Sequence, residues 1–324
     1  MANEIEVQIP WMRYDITMPL MEGRVPIEGV KLVPSQSAPR GTAGVPEPGS
    51  PIITGDFGLV ELVLNHWGPG IRAGWKIVGL PLFVKRKRVY TFVWCRTEAR
   101  INTPKDLEGK RVWAGSNGVI AIWLKGFLKH RHGVDLDKVI WLVGQDAWPS
   151  SMTWRTEAIP DRRKNLFDML TDGDADAIMT DISDGPLFEK LESHPGTKRL
   201  FPKYMEEDVR LYHEMNILTP MHTMVLSRKL DQQHPDLAAK LVAAFEKAKD
   251  IAYQDIVNDR AGFPLVYERE AFVEQRQTWG DPFAYGIERN KTMIDSFSQY
   301  TLELGLVDRP LGYEELFAAG TLDS

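Results

Sequence analysis

The chain has 324 residues, 43% of them hydrophobic and 10% aromatic, enough apolar surface to exclude disorder and to fill one large domain or two of ordinary size. Its single cysteine, Cys95, excludes an internal disulfide and a cysteine-based zinc site. The formal charge of −6 argues against a nucleic-acid partner, and no apolar run approaches the roughly 20 residues needed to cross a bilayer.

Met1-Ala2-Asn3-Glu4 leads into an acidic, amphipathic stretch without the basic, apolar and small-residue zones of a signal peptide, so a cytoplasmic location is expected. Residues 34–51 are dense in Pro, Gly, Ser and Ala and read as a long loop, the kind that serves as a lid or binding segment. Apolar runs at 75–80, 90–95 and 110–114 read as strands. The third leaves through Gly115-Ser116-Asn117-Gly118 into a helix whose apolar face is Ile120, Trp123, Leu124, Phe127 and Leu128, closed by Gly133. Strands at 139–143 and 175–180 follow, with a helix near 162–170 between them. Residues 145–160 form a second loop holding Trp148, Trp154 and Arg155. Its aromatics either pack back on their own lobe or wall a pocket for a flat ligand. From Pro235 an amphipathic helix places Leu237, Leu241, Phe245, Ala248 and Ala252 on one face. Strands alternating with helices indicate an α/β protein whose sheets are covered by helices.

Several segments resemble a known family. Asn102-Thr103-Pro104-Lys105-Asp106-Leu107-Glu108-Gly109-Lys110-Arg111-Val112 is similar to the start of the second lobe in type II periplasmic-binding-protein folds. Tyr14-Asp15-Ile16-Thr17-Met18-Pro19-Leu20, Ile122-Trp123-Leu124-Lys125-Gly126, Leu200-Phe201-Pro202, Pro220-Met221-His222 and Tyr285-Gly286-Ile287-Glu288 together resemble the 4,5-dihydroxyphthalate decarboxylases, which use that fold. The resemblance implies two lobes, each a mixed sheet flanked by helices, with a ligand cleft between them. The first lobe is expected from residues 1–94 and 223–324, the second from 95–222. The chain also departs from the family pattern. Where relatives carry an Arg-His pair it has Arg88-Val89, and a family carboxylate is lost at Gly115-Ser116-Asn117-Gly118-Val119.

Several places could carry chemistry. The turn at Ser116, Asn117 and Gly118 opens a helix and offers free N–H groups to a carboxylate, unless it is a plain strand-to-helix connection. In Lys85-Arg86-Lys87-Arg88, strand alternation would send Arg86 and Arg88 to one face, where an arginine fork grips a carboxylate; the bland account is a solvated charged strand. The resemblance favours Arg88 facing ligand, and Arg86 more weakly. His222 lies where the chain returns to the first lobe and is a candidate proton shuttle, or a structural hydrogen-bonded histidine. His66 shares that ambiguity. Tyr14, Asp15 and Thr17 follow the first strand, where such folds place ligand contacts, and Asp56 and Glu61 read as cleft carboxylates or as helix-start and surface groups. No metal motif is present, and Asp172, Asp174 and Asp176 read as a turn before a strand.

The function implied by the resemblance is non-oxidative decarboxylation of a hydroxylated, phthalate-like aromatic acid, with His222 and Arg88 catalytic. Arg86, Tyr14, Asp15, Thr17, Ser116, Asn117, Gly118, His66 and Trp148 would bind substrate. The reaction demands no organic cofactor and leaves a divalent metal open. The expected partner is a small aromatic carboxylate, with no nucleic acid and no membrane; a homo-oligomer stays open. The rival reading is a non-catalytic aromatic-acid receptor or sensor of the substrate-binding type that serves ABC transporters, and a related enzyme acting on another aromatic acid is a third.

Overall fold

The computed structural model describes residues 4–35, 46–114, 118–143, 156–159, 164–180, 185–260 and 265–324. The chain divides into two compact units: Met1–Lys87, Met215–Ile294 and Leu311–Ser324 form one, Arg88–Glu214 and Asp295–Pro310 the other. The sequence reading put the changeovers after residues 94 and 222 and kept 295–310 in the first lobe. Those residues go with the second unit because Phe297 and Tyr300 pack on Trp123, ring centroids 5.0 and 5.9 Å away.

Numbered along the chain, the described strands are β1 (Ile5–Pro10), β2 (Val30–Ser35), β3 (Leu59–Val63), β4 (Ile77–Arg86), β5 (Val93–Arg96), β6 (Arg111–Trp113), β7 (Ile140–Val143), β8 (Thr156–Ala158), β9 (Ala177–Met179), β10 (Thr197–Arg199) and β11 (Pro220–Ser227). In the first unit β11 lies at the centre of an antiparallel sheet between β3 and β4, and β1 pairs with β2 in parallel. Residues 77–84 of β4 are all buried, as expected of a strand covered on both faces. The helix Leu237–Val257 adds Leu237, Leu241, Phe245 and Ala248 to a core shared with Ile9, Leu80, Leu82, Met224 and Leu226. The periodicity read from Pro235 therefore marks the buried face of this helix.

β4 continues past the predicted 75–80 to Arg86. Pro81 lies where the register against β11 slips between Leu80 and Lys85, so the N–H it lacks is not called on by the ladder. The strand ends at Arg86, so the alternation expected over residues 85–88 does not reach Arg88.

In the second unit, among the described residues, six strands form a mixed sheet in the order β10-β5-β9-β6-β7-β8. β9, β6, β7 and β8 run parallel, while β5 is antiparallel to both β9 and β10. The strand expected at 90–95 starts only at Val93, because Tyr90–Phe92 forms a 3-10 turn. Residues 156–158, read as loop, form β8 instead. The helix Val119–His130 buries Ile120, Trp123, Leu124, Phe127 and Leu128 as its pattern required, and Gly133 follows it with φ +65°. Thr103 and Asp106 cap the short turn Pro104–Leu107, with the Thr103 N–H donating to Asp106 at 2.8 Å.

Gly126 tests this packing. A Cβ there would overlap the Tyr300 ring, which also stacks on His130 at 5.3 Å. Alanine gains helix propensity of about 1 kcal/mol, but overpacking against a trapped ring costs about 1–3 kcal/mol. Gly126→Ala is expected to lower the melting temperature measured by circular dichroism, and adding Tyr300→Leu is expected to restore most of the loss.

Candidate functional site

β3 and β11 bring the central residues together. Glu61 lies opposite Met224 and Val63 opposite His222, so Glu61 and His222 are diagonal neighbours on one face. Against β4, the register of β11 slips on both sides of His222, between Pro220 and His222 and again between His222 and Met224. Such irregularities re-aim a side chain that regular pleating would fix. The His222 Nδ1 meets Glu61 Oε1, and the Tyr14 hydroxyl donates to the same oxygen at 2.7 Å. Tyr14 is itself anchored, since its carbonyl accepts the Thr17 N–H at 2.8 Å and the Thr17 hydroxyl at 2.9 Å.

Both side chains of the pair keep 16% of their surface, so the group is sheltered yet reachable. Burial pushes the Glu61 carboxyl up. The bond and charge of His222, the Tyr14 bond and the charge of Lys85 outweigh it and hold the carboxyl below its ordinary 4.5. Lys85 lies directly across from His222 on β4. An ionised Glu61 accepts from Nδ1, which leaves Nε2 with no protein partner among the described residues. Chemically this is a proton-transfer group with a fixed ring and a cation close by.

The other candidates fall elsewhere. Arg86 was expected to face ligand, but its guanidinium donates to the Leu218 carbonyl at 2.9 Å, the Ala284 carbonyl at 2.9 Å and Asn290 Oδ1 at 2.7 Å, all inside the first unit. Arg88 opens the second unit, is exposed, and makes no hydrogen bond or ion pair with the described residues. His66 is 1% exposed in the helix Leu64–Arg72 beside Trp75, and burial pushes its imidazole down to about 4. That makes it a core residue rather than a ligand contact. Thr17 is fully buried and serves Tyr14, while Asp15 is an exposed residue of the turn Asp15–Thr17. Gly118 is the N-cap of Val119–His130. Ser116, Asn117 and Trp148 lie outside the described residues, as do Trp154 and Arg155.

Asp56 pairs with Lys229 at 2.6 Å on the surface. Asp172 and Asp174 pair with Lys164 at 2.8 and 2.7 Å, and Asp176 with Arg96 at 3.1 Å, as a charged turn before β9 would. Cys95 is buried and its thiol is pushed up to about 12 by burial, the behaviour of an inert core residue. Lys85 was not singled out from the basic run. Glu61 carried a readable signal: it is the one charge in the otherwise apolar β3, Leu-Val-Glu-Leu-Val.

No protein-family profile matches the chain. A 4,5-dihydroxyphthalate decarboxylase of Comamonas testosteroni is 26% identical over 336 aligned residues, covering 99% of both chains. Along its whole length, this chain resembles that family. A second 4,5-dihydroxyphthalate decarboxylase, from Pseudomonas putida, is 26% identical over 144 residues, which is 44% of this chain and 54% of that one. The fold is that of periplasmic substrate-binding proteins. The sulfonate-binding protein SsuA of Methylobacillus flagellatus KT superposes with a TM-score of 0.57 over 98% of this chain and 92% of its own, at 11% identity.

Two outcomes follow for this decarboxylase-like chain. Glu61 is depressed in the fold, so its stabilisation is fully present above the ordinary carboxylate value of 4.5 and is lost as pH falls through the lower folded value. Glu61→Gln is expected to destabilise by about 1.5–3 kcal/mol at neutral pH, with the gap to the parent closing below pH 4.5 in urea unfolding. A pH-independent gap would show that the carboxylate charge is not what binds the three residues. Arg86→Met is expected to destabilise the fold by about 3 kcal/mol, because it removes the guanidinium donors from the Leu218 carbonyl and Asn290 Oδ1 and leaves the Ala284 carbonyl with the Asn290 amide alone. Urea unfolding that matches the parent would return Arg86 to the list of ligand contacts.

Proposed function

We propose that this protein is a carboxy-lyase that removes CO2 from a hydroxylated, phthalate-like aromatic acid without an oxidant. The observation that carries the reading is the Glu61-bound imidazole of His222, set between two register slips and joined by Tyr14. The names of the two relatives support the substrate class.

The chemistry needs one proton delivered to the ring carbon that bears the leaving carboxylate. A phenolic oxygen ortho or para to that carbon pushes electrons into the ring as the carbon–hydrogen bond forms. The carbon–carboxylate bond then breaks, its electron pair restores the aromatic ring, and CO2 departs. One proton is consumed for each CO2 released. His222 Nε2 donates that proton and is recharged from water, while Glu61 holds Nδ1 and keeps the ring orientation through both steps. Lys85, across the strand, brings positive charge to a site that must receive an anion.

A second reading, a receptor that binds the acid unchanged, draws on Val89, which stands where the family pattern has a histidine. The test is CO2 release with product analysis on a panel of hydroxylated phthalates and benzoates, alongside calorimetric binding of the same acids. Turnover is expected for a 4,5-dihydroxylated phthalate, falling about 100-fold or more in His222→Asn with affinity changed less than threefold. Tight binding with no turnover in the parent would establish the receptor.

A further inference from the structure

The second unit holds a cavity of about 130 Å³ that the proposed chemistry does not use. It lies between the helix Val119–His130, the residues 134–137 that follow it, and residues 300–304. Lys125 and Lys129 bring ammonium groups to it, and Asp135, Asp137 and Glu303 bring carboxylates. Lys125 is 4% exposed, in a helix whose residues 119–128 are all buried. Its Nζ lies over the Trp141 ring, 4.8 Å from the centroid, and the indole N–H donates in turn to the Leu136 carbonyl at 3.1 Å. Lysines are almost never buried this completely, because the ammonium gives up water that a protein interior replaces poorly.

The other charged groups of the cavity lie nearer solvent. Lys129, four residues on and on the same helix face, is exposed and donates to Glu303 at 2.8 Å. Glu303 also meets the His130 ring and accepts from Gln299, both at 2.8 Å. Asp135 pairs with Lys138 at 3.1 Å, and Asp137 is exposed. Tyr300 stays neutral, since burial lifts its hydroxyl to about 12. At the inner end a ring face favours the ammonium, but burial works the other way and pushes Lys125 down to about 7. A free amine at the wall of a cavity is a nucleophile. A space of this size takes a ligand of few atoms. An ionised acid would shed its hydration to reach the amine, whereas an uncharged electrophile would not. Carbon dioxide meets each condition: three atoms, no net charge, an electrophilic carbon, and a negative charge gained only once it has reacted.

We propose that Lys125 is a carbamylation site: its amine adds CO2 inside this cavity, and the Lys129 ammonium pairs with the carbamate that forms. The Nζ lone pair bonds to the CO2 carbon, one carbon–oxygen π bond opens onto its oxygen, and an N–H proton passes to water. Nothing is oxidised or reduced, and the ammonium at Lys125 is exchanged for an anion. Lys129 can take that anion while keeping Glu303, because an ammonium carries three donors. Since only the free amine reacts, occupancy at fixed dissolved CO2 rises as pH passes upward through about 7. The site stands apart from the decarboxylation reading and holds whether or not this chain makes CO2 itself.

The experiment uses the full chain and 13C-labelled CO2, held at one dissolved concentration on either side of neutral pH. Carbon NMR is expected to show a carbamate resonance in the parent that grows with pH through about 7 and is missing from Lys125→Met, a variant that keeps an unbranched stem in the buried position. Lys129→Gln is expected to lower that resonance about fivefold, through loss of the paired cation. A second measurement needs no variant: carbamates in the parent are trapped by O-ethylation and located by peptide mass spectrometry. The label is expected on Lys125 at about tenfold or more the level on exposed lysines such as Lys203, whose amines stay protonated near neutral pH. No label on Lys125, or equal label on Lys125 and the exposed lysines, would overturn the proposal. A resonance unchanged in Lys129→Gln would overturn the pairing with Lys129. Neither readout involves turnover, so failure here and failure of the decarboxylase reading are separate results.

Discussion

An ionised carboxylate inside a protein is tolerated only where partners replace the water it gives up. Glu61 meets that constraint with three of them: the His222 imidazole, the Tyr14 hydroxyl and the charge of Lys85. Each comes from a different piece of the first unit, namely β11, the turn after β1, and β4. Satisfying one buried oxygen therefore fixes how these pieces meet. The slips around His222 are part of the same solution, since a regular ladder through Pro220 to Met224 would hold the imidazole to the strand's alternation. Strand geometry is sacrificed locally to place one side chain, at the centre of a sheet whose apolar residues keep the rest of β11 in register.

The two arginines of the basic run show how little residue type says about role. Arg86 ends a buried strand, where its fork has carbonyls and an amide oxygen within reach, and it becomes a cross-brace between β4, the segment before β11 and the residues around Ala284 and Asn290. Arg88 lies beyond the strand end and makes no hydrogen bond or ion pair with the described residues. Alternation put the two on one face because it assumed that the strand continued; the strand stops at Arg86, so the premise fails at the residue that matters. A Lys/Arg run is read in sequence as one feature, whereas acceptor geometry divides it.

Legibility followed the range of the interaction. The helices Val119–His130 and Leu237–Val257 were plain because a 3.6-residue period over three or more turns is set by burial of one face and needs no knowledge of what covers it. β6, β7 and β9 were legible as short apolar runs. β8 was not, since its residues Thr156, Glu157 and Ala158 are exposed and carry no apolar alternation. At the site, His222 and Tyr14 were picked out singly, but their union through Glu61 depends on a β3–β11 register across about 160 residues, which no local pattern encodes. Phe297 and Tyr300 joined the second unit for the same reason: the rings they pack on lie far back in the chain.

The departure at residue 89 bears on which group can deliver a proton. Val89 is fully buried, so its side chain belongs to the core and an imidazole there would need a different packing. His66 and His132 are pushed down to about 4, His66 by burial and His132 by burial and the arginines around it, so both are neutral near pH 7 and poor acids. His130 shares Glu303 with Lys129, so that carboxylate is divided between two partners and stays half exposed. At His222 the carboxylate is held in turn by a tyrosine hydroxyl, and the ring retains one nitrogen for a substrate. In the proposed reaction, valine at the family's histidine position leaves the proton to a group fixed elsewhere. Among these histidines, His222 is the one that combines a sheltered carboxylate partner with a ring nitrogen that has no partner among the described residues.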